Sequence, residues 1–364
     1  MAQSVPLLRS WALQSIKEMR VAVVILNWNN LDYLRRFVPG ILGTLGADDK
    51  LFVADSGSED GSLNYLSEAH PEVGIIPLGR NYGFAEGYNR ALATIKGAEY
   101  YLLLNSDIEV GEGWLEPLVK WMERHPRCGV CGPKLHALDR AEDGGWQRAD
   151  RFEYAGAAGG WLDHYGFPYC RGRVLQSVEM DHGQYDDPAK VFWITGACLM
   201  VRSSIWNALK GLDGEFFAHM EEIDFCWRAQ LAGFEVWTVP QSVVWHIGGG
   251  TLAPASPLKL MLNYRNSMWM LRKNLPATIG PRKARCRIAS RKIIDFGTQV
   301  AYLLQGKLNY VKAVSQARKE ARARKIVPTE GKAPVALTKV RIIAAWAFKG
   351  KKVFEYLRKY ESSN

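Results

Sequence analysis

Four short apolar runs in the first 110 residues, each followed by an amphipathic stretch, restrict this chain more than any other feature it has. VAVVILNW (21–28), LFVADSG (51–57), VGIIPL (73–78) and YYLLLNSD (100–107) read as strands. LDYLRRFVPGIL, the segment from Asp60, Gly61 and Ser62 through His70, FAEGYNRALATI (84–95) and WLEPLVKWMERH place apolar residues at helical spacing. Strands that are apolar along their whole length bury both faces. Repeated βα units of this kind predict an α/β class with a Rossmann-like, mostly parallel sheet flanked by helices.

The rhythm breaks over 137–190, a stretch rich in Gly, aromatic and acidic residues that reads as an irregular insertion or a small antiparallel subdomain. It resumes with VFWITGACLMV (191–201) as a strand, EIDFCWRAQLAG as a helix and FEVWTVP as a strand, and the domain closes near WHIGGGT (245–251). The expected division is an extension at 1–20, a catalytic-size domain at 21–254 and a mainly helical region at 255–364. Charge follows the same division. From residue 255 onward there are 25 Lys and Arg against 5 Asp and Glu, net +20, while residues 1–254 carry 22 against 32, net −10. A basic region on an acidic body predicts contact with an anionic surface. Within it Leu337, Val340, Ile343, Trp346, Val353, Phe354 and Leu357 recur at helical spacing, which suits a helix lying on a membrane or one packed on the body.

Six cysteines do not make a disulfide framework, and the CxxC of Cys128 and Cys131 lacks the second ligand pair a zinc site needs. The first 20 residues lack a signal-peptide pattern and no 18-residue apolar run occurs, so a cytoplasmic protein without a spanning helix is expected.

The polar residues at the strand ends carry the chemistry. Asn27 and Asn29 follow the first strand, Asp55 the second, Arg80 and Asn81 the third, Asn105, Ser106 and Asp107 the fourth. Parallel strands bring these ends to one crevice. The turn LNWNN has no GxGxxG, which removes the main support for a dinucleotide enzyme. Asn and Asp suit a base and ribose, Arg80 a phosphate, and Asp107 a divalent cation bridging two phosphates. In HMEEIDFCWRAQ, Glu221, Asp224 and Arg228 fall on one helix face and predict an internal salt-bridge row, while Glu222 points elsewhere.

Together VVILNWNN, VADSGSEDGS, LGRNYGFAEGYNRAL, LLLNSDIEV, ITGACLMVRSS, MEEIDFCWR and WHIGGGT resemble family-two glycosyltransferases of the GT-A fold, in the branch that includes bacterial rhamnosyltransferases. The resemblance implies inverting transfer from a nucleotide diphosphate sugar, dTDP-rhamnose or a UDP-sugar, with Mg²⁺ or Mn²⁺. It implies Asp107 and His246 as metal ligands, with Asn105 where many members have Asp. Asn27, Asn29, Asp55, Arg80, Asn81, Gly83, Asn105 and Ser106 join Asp107 on the donor side. Glu222 matches the base, and Trp193, Thr195, Gly196, Ala197, Glu221 and Asp224 lie toward the acceptor. A glycan or lipid-linked glycan at the inner membrane face is the expected acceptor, in cell-surface polysaccharide synthesis, with the enzyme peripheral there. A nucleotidyltransferase would want a Gly-rich phosphate loop that LNWNNLDY lacks. A nucleic-acid binder would not place acids at the strand ends, and an inactive sugar-binding protein would not need both Asp107 and Glu222.

Overall fold

A computed structural model describes residues 19–248, 256–331 and 333–362. The extension expected at 1–20 lies outside the described residues apart from Met19 and Arg20, which open the first strand, and the boundary expected near 254 also lies outside them. Four βα units lead: β1 (Met19–Asn27), α1 (Leu31–Leu42), β2 (Asp49–Asp55), α2 (Ser62–Ala69), β3 (Gly74–Pro77), α3 (Gly83–Thr94), β4 (Ala98–Leu104), then a short β5 (Ile108–Val110) and α4 (Leu115–Arg124). β6 (Cys128–Arg140) and β7 (Trp146–Phe152) form a hairpin. β8 (Gly160–Leu162), β9 (Pro168–Cys170), β10 (Arg173–Val174) and β11 (Ser177–Val178) make a small antiparallel sheet. β12 (Ala189–Lys190), β13 (Cys198–Arg202), α5 (Ser203–Ala208), α6 (Glu221–Leu231) and β14 (Glu235–His246) complete the body. Helices α7 (Pro257–Ile279), α8 (Pro281–Leu304), α9 (Leu308–Ala323), α10 (Ile342–Lys349) and α11 (Val353–Ser362) follow.

The main sheet runs β12-β14-β6-β13-β4-β1-β2-β3, with β5 on β14 and β7 on β6. β4, β1, β2 and β3 are mutually parallel, whereas β13 runs antiparallel to both neighbours. In β1, Ala22 and Val24 enter one core and Val21, Val23 and Ile25 the other. Two buried faces explain the unbroken apolar runs, and each fully buried Val or Ile contributes about 1.5–3 kcal/mol. Asn27 stands level with Asp55 and Asp55 with Pro77, while Leu104 is level with Ile25. The residues after Leu104 therefore reach the same sheet edge as Asn27 and Asp55.

Two sequence expectations need correction. The strand expected at 191–201 starts only at Cys198, because Trp193 is instead drawn to Gly160 by an isolated bridge. The apolar series at 337–357 is not one helix face, since α10 and α11 are separated by a 3-10 turn at Gly350, where φ is +52°. Val340, Val353, Phe354 and Leu357 are buried against Tyr169 and Val174 of the small sheet, while Ile343 and Trp346 remain exposed. No described helix is long and apolar enough to cross a membrane.

Candidate active site

At the exits of β1 and β2 the polar residues build one another. Asn27 and Asp55 are both buried. The Asn27 amide donates to Asp55 Oδ1 at 2.9 Å and to Ser58 Oγ at 3.1 Å. Asp55 Oδ2 accepts from the N–H groups of Gly57 and Ser58 at 3.0 and 2.8 Å. Asn29, at φ +53°, accepts from the Glu59 N–H at 2.8 Å. Gly57 is held at φ +81°, and a Cβ there would meet the Gly79 carbonyl at 2.9 Å and Arg80 Cα at 3.2 Å. The β2 and β3 exits thus touch, with Arg80 exposed and its guanidinium 4.5 Å from the Tyr82 ring centre. Asn81 Oδ1 accepts from the Gly83 N–H at 2.8 Å, which shapes the entry to α3.

The β4 exit meets the end of β14. Asp107 Oδ1 lies 3.1 Å from His246 Nε2, and the Asn105 amide lies 3.4 Å from the same nitrogen. Ser106 is buried between them in sequence. On the far side of the ring, Glu153 Oε1 lies 3.4 Å from His246 Nδ1, a buried nitrogen without an aligned hydrogen bond. Burial alone disfavours the charged ring, but the Asp107 and Glu153 carboxylates hold His246 well above its usual range. Burial likewise opposes the Asp107 carboxylate, and His246 outweighs it to hold Asp107 below the usual range.

These residues suit a divalent cation. Two ligands of an octahedral ion at about 2.1 Å and a right angle stand about 3.0 Å apart, close to the separation of the Asp107 and His246 donor atoms. A carboxylate behind Nδ1 is the usual device for aiming Nε2 at a metal. Among the described residues no three acidic, His or Cys side chains form a metal-holding group, so a cation here would rest on Asp107 and His246 alone among such side chains. Glu153 was invisible in the sequence, lying in a stretch without periodicity. It follows directly on β7, whose Phe152 pairs with His136 of β6, and its N–H donates to the Leu135 carbonyl at 2.9 Å.

The acid pair stands at the start of α6. Glu222 Oε2 and Glu221 Oε2 are buried with no hydrogen-bond partner. Burial pushes Glu222 up to about 7, and burial together with the charge of Glu222 pushes Glu221 well above its usual range. A Cβ added at Gly196 would meet Phe84 Cζ at 2.8 Å and Glu222 Cβ at 3.8 Å. The next residue, Ala197, accepts at its carbonyl from the Asn105 N–H at 2.9 Å. Burial lifts the Cys170 thiol, and Glu153 and Glu222 both add to the rise, so the two acids lie within electrostatic reach of one sulfur.

Other expected acceptor residues turn inward. Asp224 pairs with Arg228 at 2.8 Å and Lys273 at 3.0 Å and accepts from Asn274 at 2.7 Å, a fastening between α6 and α7 in place of the acceptor contact expected. Glu221 takes no part in that row. Trp193 is buried, its Nε1 donating to the Trp161 carbonyl at 3.2 Å, and Thr195 Oγ1 accepts from the Ala197 N–H at 3.3 Å. Asn266 on α7, also missed in the sequence, donates to the carbonyls of Phe216, Ala218 and His219. Those carbonyls belong to a turn in which Phe217, His219 and Met220 all have φ near +70°.

Residues 22–182 match the family described as Glycosyl transferase family 2. The N-acetylglucosaminyl-diphospho-decaprenol L-rhamnosyltransferase of Mycobacterium tuberculosis is 26% identical over 234 residues, covering 62% of this chain and 75% of that protein. The solved structure of S. aureus TarS 1–349 in complex with UDP superposes with a TM-score of 0.53 at 14% identity, over 95% of this chain and 91% of that one. That of GalNAc-T7 with UDP, GalNAc and Mn2+ gives 0.55 at 15% identity over 71% of this chain, which spans 48% of that chain. The likeness to these structures shows the fold, which is of the GT-A type.

Proposed function

Taking as premise that this chain is a glycosyltransferase carrying a family 2 domain, we propose that it moves a sugar, with inversion, from a nucleotide diphosphate to a glycan or lipid-linked glycan in cell-surface polysaccharide synthesis. One placement carries the reading. The 196–197 segment lies beside Glu222, whose Cβ is 3.8 Å from where a Gly196 Cβ would stand, and its Ala197 carbonyl is bonded to the Asn105 turn. A carboxylate poised near neutrality and a cation-holding turn then line one wall, as transfer from a diphosphate requires.

Asn27, Asn29 and Asp55 hold the base and ribose, and Arg80 faces the phosphates. Asp107 and His246 hold Mg²⁺ or Mn²⁺, which when bound offsets the charge gathering on the departing diphosphate. Glu222 Oε2 takes the acceptor hydroxyl's proton, and the oxygen attacks the anomeric carbon opposite the leaving group. The backbone of Thr195, Gly196 and Ala197 lets the acceptor approach. dTDP-rhamnose and UDP-sugars are the donors favoured, the first by the name of the mycobacterial relative and the second by the UDP in the TarS structure. The diphospho-decaprenol in that relative's name favours a lipid-linked acceptor. The enzyme then works in the cytoplasm at the inner membrane face, held there by its basic region. Nucleic acid is not its partner, because the strand-end acids repel phosphate that brings no metal.

A thermal-shift panel of nucleoside diphosphates with and without Mn²⁺ tests the reading. A ligand at 100 times its Kd adds about 2.7 kcal/mol to the folded state. Stabilisation by one or two nucleotides that needs Mn²⁺ is expected. A flat panel overturns it.

A further inference from the structure

Helix α8 is fastened along its inner edge and bare along its outer one. Buried Arg291 pairs with Asp295 at 2.8 Å and donates to the carbonyls of Tyr165 and Gly166 at 3.2 Å, which ties the helix to the catalytic body. On the opposite edge Ile293, Phe296, Val300, Leu303 and Leu304 are exposed, Ile293 by 72% and Leu304 by 83%. With 3.6 residues per turn these five fall within about 100° of arc and form one stripe, which Leu308 extends past the corner into α9. Toward the start of α8 exposed Arg282 and Arg285 continue the stripe and exposed Lys292 borders it, with exposed Lys283 nearby on the same helix. Beside it a cleft of about 240 Å³ between α7, α8 and α9 is lined by Arg272, Lys292, Arg318 and Arg322. From 281 to 319 there are ten Lys and Arg and a single acid, Asp295, which is already paired.

A contiguous apolar stripe on a soluble surface marks something that covers it. We propose that the outer face of α8 docks on an anionic phospholipid bilayer, with Phe296, Val300, Leu303 and Leu304 entering the acyl boundary and the flanking cations meeting headgroup phosphates. Charge complementarity selects this occupant. A second copy of the chain would bring cations toward cations with no exposed acid on the stripe to relieve them. The proposal deepens the membrane part of the function proposed above, and it moves the docking surface away from the 337–357 segment, whose Val340, Val353, Phe354 and Leu357 are spent on the body.

The test is co-sedimentation of the full chain with phosphatidylcholine vesicles, with and without phosphatidylglycerol. Binding only to the anionic vesicles is expected, weakened by salt. Phe296→Glu with Leu304→Glu should cut it at least about tenfold, and Arg285→Glu with Lys292→Glu should cut it several-fold. Arg127→Glu, at an exposed site on the catalytic domain, should leave it unchanged. All these side chains are exposed, and unchanged melting curves verify the fold. Equal binding of the Phe296/Leu304 variant and wild type, binding indifferent to phosphatidylglycerol, or no binding at all overturns the proposal. So does a lipid-free dimer that the Phe296/Leu304 substitutions dissolve. The Mn²⁺-dependent nucleotide shift is read on the same samples, so a failure of the transfer reading leaves the vesicle result standing.

Discussion

His246 Nε2 sits 3.1 Å from Asp107 Oδ1 although 139 residues separate the two in sequence. The register of β14 against β5, His246 opposite Ile108, makes the meeting obligatory once the strands pair. The two acidic neighbours favour the protonated ring, and a metal ion at Nε2 would compete with that proton. Asp107→Ala removes one of the two proposed ligands. Turnover should fall at least about 100-fold, and the Mn²⁺-dependent thermal shift should vanish while the circular dichroism spectrum is kept. Unaltered turnover of the variant in the presence of a chelator would remove the metal role.

Glu153 acts through His246 and is a positioning residue. Glu153→Gln keeps the shape but withdraws the charge behind Nδ1. Substitutions of such outer partners weaken metal affinity about 10- to 100-fold. The Mn²⁺ concentration for half-maximal activity should rise by that factor, with kcat at saturating Mn²⁺ close to wild type. A fall in kcat with unchanged Mn²⁺ dependence would show a purely structural role.

The Glu222 carboxyl gives a prediction in pH. Its folded value of about 7 stands above the ordinary 4.5, so the native state keeps a proton that the unfolded chain releases between those limits. Stability therefore falls as pH rises through that window. Glu222→Gln removes the penalty and should stabilise the protein by on the order of 2 kcal/mol at about pH 8. The same change should lower kcat about 10²- to 10⁴-fold and abolish the rise in rate as pH passes about 7. A smaller loss with the rise intact would pass the base role to Glu221.

The strand-end groups were legible because parallel strands oblige their ends to share an edge. Asn27, Asp55 and the Asn105 to Asp107 turn needed no more than the four apolar runs. Strand β6 was not legible. Its Gly129, Gly132 and Pro133 argue against a strand, and it forms because β13 and β14 bury it from both sides. Glu153 and Asn266 stayed hidden for a related reason. Each acts across long sequence distances on groups that local patterning cannot bring together, a histidine in one case and a row of carbonyls in the other. Asp224 shows the two kinds of reading side by side, for helical spacing anticipated its pairing with Arg228, while its bonds to Lys273 and Asn274 of α7 could not be read locally.

The turn that launches α6 offers the sharpest test of how the scaffold supports the base. Phe217, His219 and Met220 have φ of 67°, 72° and 73°, a conformation that costs about 1 kcal/mol or more at each non-glycine residue. The Asn266 amide holds the turn with donations of 2.9, 2.8 and 2.8 Å to Phe216, Ala218 and His219. From that turn the Phe217 carbonyl accepts from the Phe84 N–H at 2.6 Å, so the start of α3 is aligned with it. Asn266→Ala takes the side-chain donor from the Ala218 and His219 carbonyls in a half-buried site, while the Phe216 carbonyl keeps Arg265 as a donor at 3.1 Å. Leaving such groups unsatisfied costs about 1–3 kcal/mol, which should lower the melting temperature by several degrees. Because Glu222 follows the turn by two residues, kcat should drop while the nucleotide-induced thermal shift keeps its Mn²⁺ dependence. Asn266→Asp, which retains the size but loses the donor, should behave alike, and a melting temperature within about a degree of wild type for both variants would refute the clamp.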